Sequence, residues 1–271
     1  MTIPEWPNAR RSLDAFDLTG KRAVVVGAAT GVGRAIALAL AEAGCDLALT
    51  SVTTNADEVL ALRKTVRAVR DTGRTALEQA IDASSGQGAQ VMARQVAKEL
   101  GGIDVLITAP DLFLGKPATK ISDVEWAKVI GQNLSATFFA CRAIGKEMLK
   151  NDAATKGRII TVASVLGERG LPNAAAYCAA QGGILNLARA LSQEWAAQGI
   201  TVNAIALGWM DDSAALGDPN PESNQTVRFI PMKRPGHPEE VAPLAVYLAS
   251  DAAGYITGQV LFVDGGLTVH L

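Results

Sequence analysis

Short, nearly continuous apolar runs alternate with helix-length amphipathic segments along almost the whole chain. Apolar runs of this kind are typical of strands that are covered on both faces of a sheet. Seven runs predict strands at Ala23–Val26, Leu47–Thr50, Ala76–Ala80, Val105–Thr108, Arg158–Ala163, Thr201–Ala206 and Val260–Val263. The segments between them predict helices near Gly31–Ala43, Asn55–Asp71, Gln87–Leu100, Asp123–Leu149, Ala174–Gln198 and Pro238–Ser250. The alternation predicts an α/β fold in one domain, with a doubly wound parallel sheet and helices on both faces.

One segment, Trp209–Met232, breaks this rhythm because it is rich in proline and shows little periodicity. It follows a strand, so it should project from the carboxyl edge of the sheet. A long loop in that position is either a substrate lid or a surface excursion. Within it, Trp209 either walls a substrate pocket or packs, and Asp211 and Asp212 either belong to a solvated loop or helix cap or meet a polar substrate.

Composition supports one globular domain and excludes several classes of protein. The chain has 271 residues, of which 49% are hydrophobic and 19% are charged, and this length and balance suit one large domain with a sizeable core. The net charge of -2 gives no broad attraction to nucleic acid or to an anionic membrane, and no apolar stretch is long enough to span a bilayer. Three cysteines and two histidines at no ligand spacing predict no metal site and reduced thiols in a cytoplasmic protein.

A glycine-rich turn follows the first predicted strand. Its glycines, Gly27, Gly31 and Gly33, have the spacing G-x-x-x-G-x-G and lead directly into a predicted helix. Such a turn lets a pyrophosphate approach the backbone, and the helix N-terminus offers it free N–H groups and a partial positive charge. The pattern therefore predicts a dinucleotide site that includes Thr30 and Val32 as well; the alternative is a turn that only packs helix on strand.

A second group of residues extends this pattern. The segment Tyr177-Cys178-Ala179-Ala180-Gln181 lies thirteen residues after Ser164, and Asn133 lies further upstream. With the glycine turn, this layout resembles the short-chain dehydrogenase/reductase family, whose fold is Rossmann-like. The resemblance runs from about Asp17 to Gly266, which predicts a single domain at 17–271 and an N-terminal extension at 1–16.

The resemblance implies a role for each of these residues. It makes Tyr177 the general acid/base, Ser164 the donor to the substrate oxygen, Asn133 the organiser of a water, and Gln181 a ribose contact where the family has lysine. Glutamine supplies no positive charge, and a tyrosine without a nearby cation keeps its pKa at about 10. We therefore expect reduced or altered activity unless another cation compensates. The candidates for that cation are Lys146, Arg142 and Arg169.

Other positions bear on the cofactor, which the resemblance predicts to be NAD or NADP. At the end of the second strand an acid suits the ribose of NAD, and an arginine suits the phosphate of NADP. Ser51 and its neighbours offer neither, and the absence of an acid favours NADP slightly. Asp82 matches an aspartate that contacts adenine in the family, or else it caps a turn. Gly208 matches a glycine of the family's cofactor site.

Several departures from the family pattern lie near this predicted site. After the fourth strand, Thr108-Ala109-Pro110-Asp111 replaces Asn-Asn-Ala-Gly, so a negative charge stands where a glycine is expected. Two hypotheses remain. One is an NAD(P)-dependent oxidoreductase that interconverts a secondary alcohol and a ketone. The other is a non-catalytic subunit that binds a nucleotide or has a structural role. The resemblance also predicts a homo-oligomer, a dimer or tetramer, or assembly with a related subunit.

Overall fold

The computed structural model describes residues 13–29, 31–212 and 225–269. Seven parallel strands form one sheet in the order β3-β2-β1-β4-β5-β6-β7. They are β1 Arg22–Val26, β2 Asp46–Thr50, β3 Ala76–Gln79, β4 Val105–Thr108, β5 Gly157–Ser164, β6 Ile200–Leu207 and β7 Val260–Val263. The predicted doubly wound parallel sheet is confirmed.

Helices cover both faces of the sheet. They are α1 Gly31–Glu42, α2 Ala56–Asp71, α3 Gly86–Leu100, α4 Asp123–Ile130, α5 Ala136–Met148, α6 Ala175–Trp195, α7 Gln225–Arg228 and α8 Pro238–Ala249. Helices α1, α2 and α8 share one apolar core with the sheet, and α3, α5 and α6 share the other. Side chains of β1 alternate between the two cores, Val25 in one and Val24 and Val26 in the other, which explains why the strands read as continuous apolar runs.

The helix predicted over Asp123–Leu149 is interrupted. A π-helical turn, Gly131–Ser135, separates α4 from α5, and Asn133 lies fully buried within it. The side-chain amide of Asn133 donates to the carbonyls of Leu112 and Val129 and accepts from the N–H of Leu112, each over 2.9 Å. Apolar periodicity does not register one extra residue in a turn, so the sequence predicted an unbroken helix.

The order of the strands places a crevice at the carboxyl edge of the sheet, between β1 and β4, where the direction of the crossovers reverses. The amides of Gly27 and Ala28 both donate to the carbonyl of Thr50 over 3.0 Å, and the amide of Ala109 donates to Val26 over 2.8 Å. These bonds hold the turns after β1, β2 and β4 side by side as the floor of the crevice.

The ends of the chain and the predicted lid lie partly outside the described residues. Of the predicted N-terminal extension, Asp14–Phe16 form a 3-10 turn, and the ring of Phe16 lies 5.8 Å from that of Tyr247. Of the predicted lid, residues 213–224 lie outside the described part. Within the part of the chain that the structure describes, no helix is long and apolar enough to cross a membrane.

Candidate active site

A cavity of about 330 Å³ occupies the crevice. The glycine turn forms one end of it, and Ser164, Tyr177 and Gln181 line the other. Segments after β4 and β6 form the walls, including Asp111 and Trp209. The structure thus brings three of the four predicted catalytic residues into one space with the predicted dinucleotide turn. Trp209 walls this cavity, as one of its two sequence interpretations proposed.

The glycine end of the cavity leaves no room for side chains. Gly27 and Gly31 have φ angles of +86° and +56°, a region that favours glycine. A Cβ on Gly27 would lie 2.6 Å from the carbonyl oxygen of Ala109, and a Cβ on Gly33 would overlap the carbonyl oxygen of Gly27. Gly27, Gly31, Val32 and Gly33, which the sequence predicts to bind the cofactor, all line the cavity. Thr30 lies outside the described residues.

An acidic side chain lies against this turn. A carboxylate oxygen of Asp212 lies so close to Gly31 that it leaves no room for a Cβ on that glycine. The N-terminus of α1 carries free N–H groups and a partial positive charge, which attract an anion. Partial burial raises the pKa of Asp212, and the neighbouring charge of Asp211 raises it further. Asp211 itself pairs with the ring of His237.

These observations test whether the turn fits a dinucleotide. The glycines form a cradle that any Cβ would fill, and the start of α1 offers main-chain N–H groups of the kind that bind a diphosphate. The cavity continues from there to Ser164 and Tyr177. The turn therefore fits the diphosphate of a dinucleotide, and the Asp212 carboxylate beside Gly31 would lie close to it.

The predicted adenosine contacts have other roles. Ser51 is fully buried, and its hydroxyl donates to the carbonyl of Ile81 over 3.4 Å and accepts from the N–H of Ile81 over 3.3 Å. Asp82 is exposed and accepts from the amide and hydroxyl of Ser84 over 2.9 and 2.6 Å. Neither side chain lines the cavity. In this structure Ser51 thus bonds the backbone of Ile81, and Asp82 caps a turn, which is one of its two sequence interpretations; a contact of either side chain with the cofactor stays a prediction. Gly208 does line the cavity, as predicted.

A carboxylate that the sequence prediction missed stands at the end of β2. Glu58, in the first turn of α2, lines the cavity and accepts hydrogen bonds from the amides of Val52 and Thr53 and from the Thr53 hydroxyl. Its own amide donates to the side chain of Asn55 over 2.8 Å. The sequence shows an acid three residues after the N-cap Asn55, which would ordinarily predict a capping box in which Glu58 bonds the backbone of Asn55. In the structure the Glu58 carboxylate bonds the amides at the end of β2 instead.

The catalytic end is organised around Tyr177, which is 7% exposed. Its hydroxyl donates to Oδ1 of Asp111 over 2.6 Å. The ring of Phe113 meets the tyrosine ring edge to face, with centroids 5.2 Å apart. Gln181 is 2% exposed, and its Oε1 accepts from the amide of Ser164 over 3.1 Å. Asn133 does not line the cavity, because its side chain binds the backbone of Leu112.

Charge around Tyr177 is negative. Burial raises the pKa of Tyr177 well above its ordinary value, and the charge of Asp111 raises it further, while interaction with Ser164 lowers it. Asp111 is open to the cavity, yet the surrounding walls restrict its hydration and raise the pKa of its carboxyl, while the bond from Tyr177 lowers it. Both groups therefore favour their protonated forms over a wider pH range than usual.

None of the three candidate cations lines the cavity. Lys146 is exposed on α5, Arg142 lies 5.1 and 5.2 Å from the ring centres of Phe138 and Phe139, and Arg169 donates to the carbonyl of Thr268. The described residues of the cavity wall include three carboxylates and no lysine, arginine or histidine; the carboxylates are Glu58, Asp111 and Asp212. Among the described residues, no group of three possible metal ligands comes together.

Comparisons with known proteins agree with this geometry. A family model described as enoyl-(acyl carrier protein) reductase matches residues 27–268. The 2-dehydro-3-deoxy-D-gluconate 5-dehydrogenase of Pseudoalteromonas atlantica is 38% identical, over 94% of this chain and 98% of its own. The D-threitol dehydrogenase of Mycolicibacterium smegmatis is 37% identical, over 94% of this chain and 95% of its own. A solved structure from Beutenbergia cavernae, assigned as an NAD(P)-dependent gluconate 5-dehydrogenase with NADP at low occupancy, has a TM-score of 0.85 at 36% identity and covers 94% of this chain and 99% of its own.

Proposed function

The chain belongs to the short-chain dehydrogenase/reductase family, and from this premise we propose that it is an NAD-dependent oxidoreductase that interconverts a small, neutral secondary alcohol and its ketone. The observation that carries this proposal is the single cavity that joins the glycine turn to Ser164, Tyr177 and Gln181. The relatives described above are named as reductases or dehydrogenases. A non-catalytic subunit, the alternative drawn from the sequence, has less support.

Each residue of the cavity has a physical task in this reaction. A bound nicotinamide coenzyme supplies or accepts the hydride, and the protein orients the reacting atoms. Ser164 lines the cavity and donates a hydrogen bond to the substrate oxygen, while Tyr177 holds the proton at its hydroxyl. Because Oε1 of Gln181 accepts from Ser164, its amide nitrogen remains to donate to ribose hydroxyls. Asn133 supports the wall of the cavity through Leu112.

The preference for NAD rests on Glu58. The sequence favoured NADP slightly because no acid follows β2, but the Glu58 carboxylate lies there and holds the amides of Val52 and Thr53. Those amides are the donors that a ribose phosphate would need, and a carboxylate beside a phosphate adds charge repulsion. Ribose hydroxyls, in contrast, can donate to Glu58. The negative charge of Glu58 at the end of β2 therefore favours NAD over NADP.

A neutral substrate follows from the charge of the cavity. Its described wall holds carboxylates and no cation, and residues 213–224 contain Asp218 and Glu222 but no lysine or arginine. A sugar acid would bring a carboxylate into this space without a partner, which costs free energy. A polyol such as D-threitol has only hydroxyls to place, and these can donate to the carboxylates.

Coenzyme titration tests the preference for NAD. We expect NADH to bind about ten-fold or more tightly than NADPH, since about 1.4 kcal/mol of repulsion corresponds to that ratio. Glu58→Gln should reduce the difference in affinity between NADH and NADPH. Glu99→Gln, a change at an exposed position on α3, should leave that difference unchanged. Cofactor fluorescence measures both. If neither NADH nor NADPH binds at millimolar concentration, the oxidoreductase proposal itself is overturned.

A substrate comparison tests the charge argument separately. With NAD⁺ in excess, we expect the protein to oxidise D-threitol with a higher kcat/KM than D-gluconate. The two compounds are polyhydroxylated, and only one is an anion. A preference for D-gluconate would contradict the neutral-substrate proposal and leave the coenzyme proposal intact.

We also propose that the chain forms a homo-oligomer, a dimer or a tetramer. Strand β7 is one of the two edge strands of the sheet, none of its residues is buried, and Phe262 is 38% exposed. Sheet edges with exposed apolar side chains are usually covered. Light scattering on the purified protein gives the molar mass, which should be a multiple of 28.2 kDa. A mass of one chain at micromolar concentration would contradict this proposal.

A further inference from the structure

The Tyr177 hydroxyl and the Asp111 carboxylate form a pair for which the family pattern has no counterpart. They are 2.6 Å apart, and both line the cavity beside Ser164. Hydrogen bonds to a carboxylate at this length are among the stronger ones in proteins. Resting on the function proposed above, we propose that Asp111 exchanges a proton with Tyr177 during the alcohol–ketone interconversion and thereby replaces the missing lysine. Asp111 acts through the Tyr177 hydroxyl, so it is a positioning residue that holds or supplies the proton of that hydroxyl.

The fold holds the two groups together from several sides. Asn133 fixes Leu112, the residue after Asp111, through hydrogen bonds to both its amide and its carbonyl, each over 2.9 Å. The amide of Lys116 donates to the carbonyl of Asn173 over 2.6 Å, which ties the loop after β4 to the segment before α6. These bonds hold the backbone next to Asp111 and the segment before α6 in place, and so they favour the contact between the two side chains.

Packing against aromatic side chains also fixes the tyrosine ring. Phe113 meets it edge to face at 5.2 Å, with an angle of 71° between the rings, an arrangement that aromatic pairs favour. Tyr177 is 7% exposed, so its hydroxyl has little access to bulk water. Its proton therefore has to come from, or go to, a group within the cavity.

The proton transfers balance in both directions. In reduction, the carbonyl carbon receives the hydride, the carbonyl oxygen takes the Tyr177 proton, and Tyr177 takes the proton of the Asp111 carboxyl. An alcohol and an Asp111 carboxylate result, and water at the mouth of the cavity returns the proton to Asp111. In oxidation, the alcohol carbon gives up a hydride, for which a bound nicotinamide coenzyme would be the acceptor, and the alcohol proton passes to Tyr177 as the Tyr177 proton passes to the Asp111 carboxylate. Tyr177 is a neutral phenol before and after either reaction.

Electrostatics favour this sequence over a free phenolate. Among the described residues, the titratable groups that face the pair are Cys178, beside Tyr177 on α6, and Asp212, from the segment after β6, and Glu58 of α2 shares the cavity with them. None of these is a cation, and the charge of Asp111 raises the pKa of Tyr177. A phenolate next to a carboxylate is costly in a space with little water, whereas a neutral phenol that relays a proton adds no charge. Reduction then needs protonated Asp111 and slows as pH rises through its titration, while oxidation accelerates.

A spectroscopic titration tests the pair without coenzyme. Absorbance at 295 nm follows tyrosine ionisation, and subtraction of the Tyr177→Phe curve isolates Tyr177. Asp111→Asn keeps an acceptor for the hydroxyl but removes the charge, so the Tyr177 transition should move to lower pH. Asp71→Asn, a change at an exposed position at the end of α2, should leave it in place. An unchanged Tyr177 transition in Asp111→Asn overturns the proposal, whatever the substrate is.

The rate measurement tests the proton exchange itself. For oxidation of D-threitol with NAD⁺, we expect Asp111→Asn to lower kcat/KM by about 100-fold or more, the usual worth of a positioned proton acceptor, and to remove the rise with pH. Asp111→Glu should restore part of the kcat/KM and part of its rise with pH. An unchanged rate and pH profile in Asp111→Asn, with NADH still bound, overturns the exchange alone. Absence of NADH binding in every variant overturns the proposed function and the exchange together.

Discussion

At the scale of single residues, Gln181 shows how one substitution changes what its neighbours can do. The family's lysine would supply a cation, but Gln181 supplies an acceptor for the amide of Ser164 over 3.1 Å. Its neutrality is compatible with the carboxylate of Asp111, which lies 2.6 Å from the hydroxyl of Tyr177. Tyr177 therefore has a carboxylate as its hydrogen-bond partner and no cation among the described residues that line the cavity.

Replacing Gln181 by lysine should separate its two roles. The new cation should lower the pKa of Tyr177 and move the pH–rate profile to lower pH. Loss of the acceptor for the buried Ser164 amide should cost about 1–3 kcal/mol in the free energy of unfolding, which urea denaturation measures. Gln181→Met is the matched control, since it removes the same acceptor without adding charge. Identical pH profiles for the lysine and methionine variants would contradict the electrostatic part of this argument.

At the scale of elements, two anions compete for the N-terminus of α1. The Asp212 carboxylate lies against Gly31, where the diphosphate of a dinucleotide would otherwise accept hydrogen bonds from the backbone. The segment after β6 therefore opposes coenzyme binding through its charge. Helix α2 contributes in a different way, since Glu58 in its first turn reaches the amides after β2.

Removing the Asp212 charge should tighten coenzyme binding. A charge at a helix terminus is worth about 0.3–1 kcal/mol, so we expect Asp212→Asn to lower the Kd of NADH by about two- to five-fold. The pKa of Asp212 is raised by partial burial, so protonation removes the charge as pH falls through that raised value. Wild-type affinity should therefore increase toward lower pH, and the variant should lose this dependence. Asp71→Asn, which removes an exposed carboxylate at the end of α2, is the control and should leave both the affinity and its pH dependence unchanged.

At the scale of the whole molecule, two tightly packed cores flank a cavity whose carboxylates repel one another. Three carboxylates share one space, and the restricted hydration there raises the pKa of two of them, Asp111 and Asp212. Such an arrangement does not favour stability, since charged groups lose water there. The cores on either side of the sheet provide the stability that maintains it, as is common where a site is built for function.

Thiol labelling tests how closed these cores are. Cys45 and Cys141 are fully buried, and burial raises the pKa of each thiol to about 12. Because only the thiolate reacts, these two should resist labelling at neutral pH. Cys178 is partly exposed, so the native protein should label at one cysteine, and the protein in urea at three. Rapid labelling of a second cysteine in the native state would contradict the packing described above.

The succession of apolar runs and glycine turns was enough to predict the sheet, its helices and the place of the crevice. These features depend on local periodicity and on the short reach of a βαβ crossover. The glycine turn was predictable for the same reason, because it lies between one strand and one helix, whereas the Ser164–Tyr177 pair was predicted from the resemblance to the short-chain dehydrogenase/reductase family. Even the interruption at Asn133 changes the predicted helix by only one turn.

Only the tertiary structure decided which charges meet. Asp111 lies 66 residues from Tyr177 in the chain, and no pattern of local spacing relates a loop after β4 to a helix after β5. Glu58 and Asp212 reach the cavity from opposite sides in the same way, and Ser51 turns away from it to bind Ile81. Side-chain direction and charge contact depend on how distant segments pack, which the amino-acid sequence determines only through the completed fold.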